Sequence, residues 1–174
     1  MLSNAMSVAT TAAANTKLIT RFYEAFQKRD AEAMGACYAP GITFRDPVFG
    51  RLEGERARAM WRMLNQPGGG GLELTYQLGV VDDVTGTAAW QAKYKAPNTG
   101  RPVENHITSR FWFADGLIVR QEDTFDLWKW ASMALGPTGR LMGWSPMIQG
   151  AIRKRALANL DKFIEAEAEA AAKD

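Results

Sequence analysis

The chain has 174 residues, 47% of them apolar, and a formal charge of +2 from 21 basic and 19 acidic side chains, with one cysteine and one histidine. That length and composition fit one globular domain with a real core, and so balanced a charge, without a basic stripe interleaved with aromatics, argues against nucleic acid as a partner. The lone Cys37 excludes an internal disulfide and thiolate zinc clusters, and the lone His106 argues against a multi-histidine metal site, so no metal and no cofactor are expected.

The first stretch, "MLSNAMSVATTAAAN", has no basic n-region and no long apolar core, so it does not read as a signal peptide. "SNA" ahead of Met6 resembles a cloning remnant, residues 1–5, and residues 1–15 read as a disordered tail. No run reaches the roughly 18 apolar residues of a membrane span, and a cytoplasmic protein is expected. Residues 16–28 then read as a helix: Leu18, Ile19, Phe22 and Phe26 share one face, and Asn15 or Thr16 can cap it. Asp30 caps a second short helix with Met34, Cys37 and Tyr38 inward, stopped by Pro40-Gly41. Cys37 reads as a small core residue.

"GITFRDPVFG", residues 41–50, alternates Ile42 and Phe44 with Thr43 and Arg45, the period of a half-buried strand. Asp46 is in phase with the apolar pair, so it points inward before Pro47 ends the run. A third helix, about 54–65, carries Ala57, Met60, Trp61 and Leu64. "QPGGGG" ends it; the glycines lack the Gly-Lys-Ser/Thr ending of a phosphate loop and follow a helix instead of preceding one.

The period changes to two after that. Leu72, Leu74, Tyr76 and Leu78 alternate in the first of four strands, followed by strands at about 86–96, 103–113 and 117–126, the last pair joined at "ADG". Helices first and an antiparallel meander afterwards is an α+β pattern. The expected architecture is a curved antiparallel sheet wrapped around the N-terminal helices, a cone with an internal pocket, plus a C-terminal helical extension. The tail from 127 on is rich in Trp, Met, Lys and Arg. In it Ile148, Ile152, Leu157, Leu160, Phe163 and Ile164 give one helix an apolar face. Trp128, Trp130 and Trp144 suit packing in the core or a dimer, a lid over the cone, or contact with a membrane surface.

Strand phase sorts the inner face. Phe111 and Phe113 look inward, so Asn105, Ile107 and Ser109 share their side, while His106, Thr108, Arg110 and Trp112 face out. On the last strand Val119, Gln121, Asp123 and Phe125 are in phase, and Arg120 and Glu122 point the other way. Asp46 and Asp123 therefore both lie on inner faces, with Asn105, Ser109 and Gln121 as neutral neighbours and Trp61 and Trp90 as candidate apolar walls. Burial raises a carboxyl's pKa, and a second carboxyl raises one of the two further. An acid poised near neutrality can take a proton from carbon beside a carbonyl and return it elsewhere. The alternative for Asp46 is structural: an Asp before Pro often closes a turn by accepting loop N–H bonds.

The stretches "LITRFYEAFQKRDAEAMGACYAPGITFRDPVFGRLEG" and "SRFWFADGLIVRQEDTFDLWKW" resemble the NTF2-like superfamily, in particular its SnoaL-like and ketosteroid-isomerase-like members. The resemblance covers about residues 16–135, leaving 136–174 as the extension. It implies the cone fold and leaves the activity open, since that fold hosts enzymes, binders and non-catalytic partners. In the isomerases an Asp before Pro in the first strand is the general base, and Asp46 matches it; the two oxyanion-hole slots hold Phe22 and Ser109 here, and Phe22 has no donor. Tyr23, one position along, points about 100° away from Phe22. Limonene-epoxide-hydrolase-like proteins place an Asp where Asp123 stands, but the Arg and second Asp of their triad fall near Trp90 and Ala92. SnoaL-like polyketide cyclases use an Asp on the last strand as acid/base, and Asp123 matches that as well.

Together these readings give catalytic candidates Asp46 and Asp123, with Trp61, Trp90, Asn105, Ser109, Gln121 and Phe22 around the ligand. The expected function is a cofactor-free isomerase or cyclase acting by proton transfer on a small hydrophobic carbonyl or polyketide-like compound. The alternatives are a non-catalytic binder of a small hydrophobic molecule and a dimeric interaction module. A homodimer through the outer sheet face, covering Trp112, is expected in each case.

Overall fold

The structure, a computed structural model, describes residues 11–67 and 71–173. The expected cloning remnant and most of the expected tail lie outside the described residues. Helix α1 (Ala12–Gln27) starts earlier than the sequence pattern predicts, because Thr11 caps it by accepting the Ala14 N–H at 3.1 Å. Its buried face takes in Leu18, Ile19, Phe22, Tyr23 and Phe26, an arc wide enough to include Tyr23 one turn after Ile19. Asp30 caps α2 (Ala31–Ala36) as expected.

Strand β1 (Tyr38–Asp46) begins where the sequence predicts the end of a helix. Pro40-Gly41 does not stop the chain; it sits in an irregular stretch where the pairing of β1 shifts register. The Arg58 guanidinium donates to the carbonyls of Tyr38, Ala39 and Pro40 at 2.9, 2.8 and 3.2 Å. It thereby satisfies the backbone groups that the shift leaves without strand partners. A turn then leads into β2 (Gly50–Glu53), a four-residue strand absent from the sequence reading. Gly50 there holds φ +68°, a conformation that costs glycine little. Helix α3 (Glu55–Leu64) follows, then β3 (Glu73–Val81), β4 (Thr85–Lys95), β5 (Pro102–Ala114) and β6 (Leu117–Thr124), close to the predicted meander.

The six strands form one sheet in the order β2-β1-β6-β5-β4-β3. The expected all-antiparallel sheet is in fact mixed, because β1 pairs with β6 in parallel while its other neighbours are antiparallel. One face packs on α1 and α3 and forms the main core. Phe22 is fully enclosed there, with the rings of Tyr23, Tyr38, Trp61 and Phe111 5.5–6.2 Å away; burying one such side chain stabilises by about 1.5–3 kcal/mol. The expected phase of β6 needs one correction. A bulge between its pairings to Trp112 and Phe113 turns Ile118 inward in place of Val119. Beyond the bulge, Gln121 and Asp123 face in as predicted.

The tail forms α4 (Leu127–Ala134), α5 (Pro137–Met142) and the long α6 (Pro146–Ala171). Leu160 of α6 is fully buried against the core. Arg56 and Arg62 of α3 pair with Asp161 and Glu167 of α6, and Arg153 donates to the Pro47 carbonyl at 3.0 Å. Among the described residues no helix is long and apolar enough to cross a membrane.

Candidate functional site

The inner sheet face and α6 line an open-mouthed cavity of about 1050 Å³. Asp46 and Asp123 both line it, with Trp61, Trp90 and Asn105. The parallel pairing explains why the two acids meet. Phe44 is level with Gln121 and Arg45 with Glu122, so the next step along both strands sets Asp46 beside Asp123; neighbouring strands lie about 4.8 Å apart.

Asp123 is buried and tightly held. Its Oδ1 accepts from Ser109 Oγ at 2.6 Å and from Gln121 Nε2 at 2.9 Å. Ser109 has no choice of direction: its oxygen already accepts from Tyr23 OH at 3.0 Å and Trp90 Nε1 at 2.9 Å, so its one proton goes to Asp123. Gln121 is fixed from behind in the same way. Its Oε1 accepts from Tyr38 OH at 2.6 Å, and that hydroxyl accepts from Trp61 Nε1 at 2.8 Å. The second carboxyl oxygen, Oδ2, takes no hydrogen bond from the described residues.

Burial pushes the Asp123 carboxyl up to about 7, against the pull of the Ser109 and Gln121 hydrogen bonds and with the charge of Asp46 adding to the rise. Asp46 is pushed up to about 6, again by burial first; the N–H groups of Phe49 and Val48 and the charge of Arg153 oppose it. Its Oδ1 accepts from Phe49 N at 2.5 Å and so closes the turn between β1 and β2. Asp46 therefore fills the structural role of an Asp before Pro and faces the cavity as well. Tyr23 and Tyr38 are raised well above the usual phenol range, by burial and then by the Asp123 charge, and remain hydroxyls.

Three residues expected around the ligand sit one layer behind the cavity wall. Phe22, Ser109 and Gln121 are completely enclosed. Phe22 is packed among rings, while Ser109 and Gln121 spend their hydrogen bonds on Asp123 and its supports. Asn105 is 8% exposed and lines the cavity, and no described residue bonds its amide. His106 lies on the outer face beside Glu104, as predicted.

Sequence reasoning missed three hydroxyls. Tyr23 lies about 100° from Phe22 on an ideal helix, yet its spacing of four from Ile19 marks the same buried arc. The helix pattern that ends at Pro40-Gly41 takes in Tyr38, yet Tyr38 shares the even parity of Ile42, Phe44 and Asp46. Tyr94 of β4 lines the cavity; its hydroxyl accepts from Trp130 Nε1 at 2.7 Å and donates to no described residue. Burial is the first cause of its raised pKa, and the charge of Asp46 contributes. Trp130 also lines the cavity, whereas Trp128 and Trp144 are 47% and 62% exposed. The tail therefore supplies part of the cavity wall, through Trp130, Leu135 and one side of α6.

Comparison with known proteins agrees on this architecture. The structure superposes on a provisionally named polyketide cyclase from Xanthomonas campestris pv. campestris with a TM-score of 0.62 at 21% identity, covering 70% of this chain and 97% of that one. A provisionally named SnoaL-like polyketide cyclase from Jannaschia sp. CCS1 gives a TM-score of 0.62 at 18% identity, with coverage of 72% and 94%. An LEH-like epoxide hydrolase from M. tuberculosis gives 0.58 at 20% identity, with coverage of 78% and 98%. At such identities these likenesses establish the fold alone. Comparison with curated proteins found no match. The sequence model of the SnoaL-like domain matches residues 19–121, more than half of the chain, and the protein belongs to that family.

Proposed function

We propose that the protein is a cofactor-free enzyme that moves a proton on a small hydrophobic carbonyl or polyketide-like compound bound in the cavity, with Asp123 as the acid/base and Asp46 as its partner. The observation that carries this reading is the state of Asp123. One oxygen is locked by Ser109 and Gln121, the other faces the cavity, and the group is poised near neutrality beside a second carboxyl. A carboxylate so placed can remove a proton from carbon next to a carbonyl and deliver it to another atom of the same molecule. The negative charge that develops on the carbonyl oxygen needs donors. Tyr94 and Asn105 line the same wall with donors unspent, and we assign them that role.

The test does not need the natural substrate. Small cyclic ketones and 1,3-dicarbonyl compounds incubated with the protein in deuterium oxide should exchange their α-hydrogens faster than in buffer. Asp123→Asn should reduce that exchange by at least about a hundredfold while circular dichroism and thermal midpoint show an intact fold. Unchanged exchange in Asp123→Asn would remove the proposal.

One observation favours a second reading. Asp46 Oδ1 is spent on the Phe49 N–H, and the hydroxyl protons of Tyr23, Tyr38 and Ser109 are spent on Ser109, Gln121 and Asp123, so none is left to donate to a ligand. A protein that binds a hydrophobic molecule without changing it would need no more than this. It predicts a ligand that co-purifies intact and is retained by Asp123→Asn. An interaction module would have its hollow filled by its own side chains, such as those of Trp61 and Phe111; the place of Trp61 along the cavity wall supports the ligand readings instead. We also propose a homodimer through the outer sheet face, where Trp112 lies between the guanidiniums of Arg110 and Arg120, 5.0 and 4.4 Å from its ring centre. Sedimentation of the wild type as a monomer at all concentrations would rule that dimer out.

A further inference from the structure

Helix α6 lies beyond the segment 19–121 that the family's sequence model matches, and it lines the cavity. Its cavity-lining residues are of two kinds. Ile152, Ala156 and Phe163 are apolar, and Arg155, Asn159 and Lys162 are polar. The second set is spaced i, i+4, i+7, which places it in one row about 10 Å long on one side of the helix. All three are exposed, so the row stands at the cavity mouth. Lys95, at the end of β4, lines the same cavity and is exposed too.

The charges at this mouth are unbalanced. Among the described residues Lys95, Arg155 and Lys162 take part in no ion pair, while Asp161 and Glu167 of the same helix are held by Arg56 and Arg62. The carboxyls that line the cavity are Asp46, at the end of β1, and the buried Asp123 of β6. Three cations around one opening repel each other and lower the energy of any anion placed between them. An anionic group pushed inward would meet the buried Asp123 carboxyl instead, so such a molecule enters apolar end first.

We propose that the cavity takes an amphipathic anion, its apolar body against Trp61 and Trp90 and its carboxylate, sulfonate or phosphate held at the mouth by Arg155, Lys162 and Lys95. This rests on the reading of the cavity as the ligand site, and it narrows the substrate class to carbonyl compounds that carry an acid group at the far end. The polar row of α6 then sets direction. With the anionic end fixed at the rim, the other end of the ligand is the one that reaches Asp123.

Two dyes with one apolar skeleton test this: 1-anilinonaphthalene-8-sulfonate and uncharged N-phenyl-1-naphthylamine. Both should bind the wild type and compete with each other. Arg155→Gln with Lys162→Gln should weaken the sulfonate about tenfold, the scale of losing two unit charges at a solvated rim, and leave the neutral dye unchanged. Lys154→Gln, on an exposed residue of α6 that does not line the cavity, should alter neither. Equal weakening of both dyes, no weakening of the sulfonate, or the same loss in Lys154→Gln would overturn the anion site. Failure of both dyes to bind the wild type would overturn the cavity reading along with it. Failure of the proton-transfer chemistry alone shows up separately, as absent deuterium exchange in a protein that still discriminates between the dyes.

Discussion

Asp123 and Asp46 couple protonation to folding, and the sign follows from the direction of their shifts. Both carboxyls are raised from an ordinary 3.8, to about 7 and about 6. The folded chain therefore holds these protons more tightly than the unfolded chain does. Their contribution to stability is fully present below about pH 4 and is lost as pH rises through about 6 to 7, a loss on the order of a few kcal/mol. Urea midpoints should fall between about pH 5 and pH 8, and Asp123→Asn should remove most of that fall; a flat wild-type profile would mean that the acids are hydrated. As a pair, the two acids share one proton between about pH 6 and 7, so turnover by the proposed mechanism should peak there and decline on both sides. Parity along the strands was enough to find both acids, because a period of two leaves each side chain only one of two faces. The hydroxyls that orient them were harder to read. Tyr23 sits on a helix whose buried arc is wider than its apolar residues suggest, and Tyr38 precedes a Pro-Gly pair that imitates a stop.

The same contrast holds for whole elements. Strands β4 to β6 were legible to within a residue or two because the alternation persists through most of their length, whereas β3 runs three residues past the alternation that ends at Leu78. β2 was not, since four residues give no period to read, and its existence depends on a turn closed by Asp46. The parallel pairing of β1 with β6 leaves no mark in either strand's sequence. In the tail, the apolar face of α6 was legible, but what it packs on was not. Leu160 is the residue of that face that is fully buried. Leu160→Ala should cost about 2–4 kcal/mol in chemical denaturation and should raise hydrogen exchange along α6 before the sheet. The junction of α4 and α5 is closer still. A Cβ at Gly139 would lie 1.9 Å from the Ala131 carbonyl oxygen, against backbone that cannot turn aside. Gly139→Ala should therefore undock the two helices, read as a larger loss of thermal stability than Gly150→Ala, where a Cβ meets open space.

Across the whole molecule, α6 stands outside the segment that the family's sequence model matches and completes the cavity wall. α6 is held to α3 by the exposed Arg56–Asp161 pair and the partly buried, bidentate Arg62–Glu167 pair, and to the β1–β2 turn by Arg153; such surface pairs are worth up to about 1 kcal/mol each. Hydrophobic burial at Leu160 keeps the helix in place, and the ion pairs set its orientation. Arg56→Ala with Arg62→Ala should accordingly leave the thermal midpoint nearly unchanged while weakening the binding of the sulfonate dye, because Arg155 and Lys162 lose their fixed position. A large drop in midpoint would mean that the pairs carry the attachment themselves.

The indoles at the cavity wall have one more consequence. Trp61, Trp90 and Trp130 all border the hollow, whereas Trp128 and Trp144 stand in solvent. Iodide can silence the outer pair, and replacing Trp112 of the outer sheet face by Phe leaves the inner three emitting, which gives the protein a built-in optical gauge of whatever enters, before the identity of that compound is known.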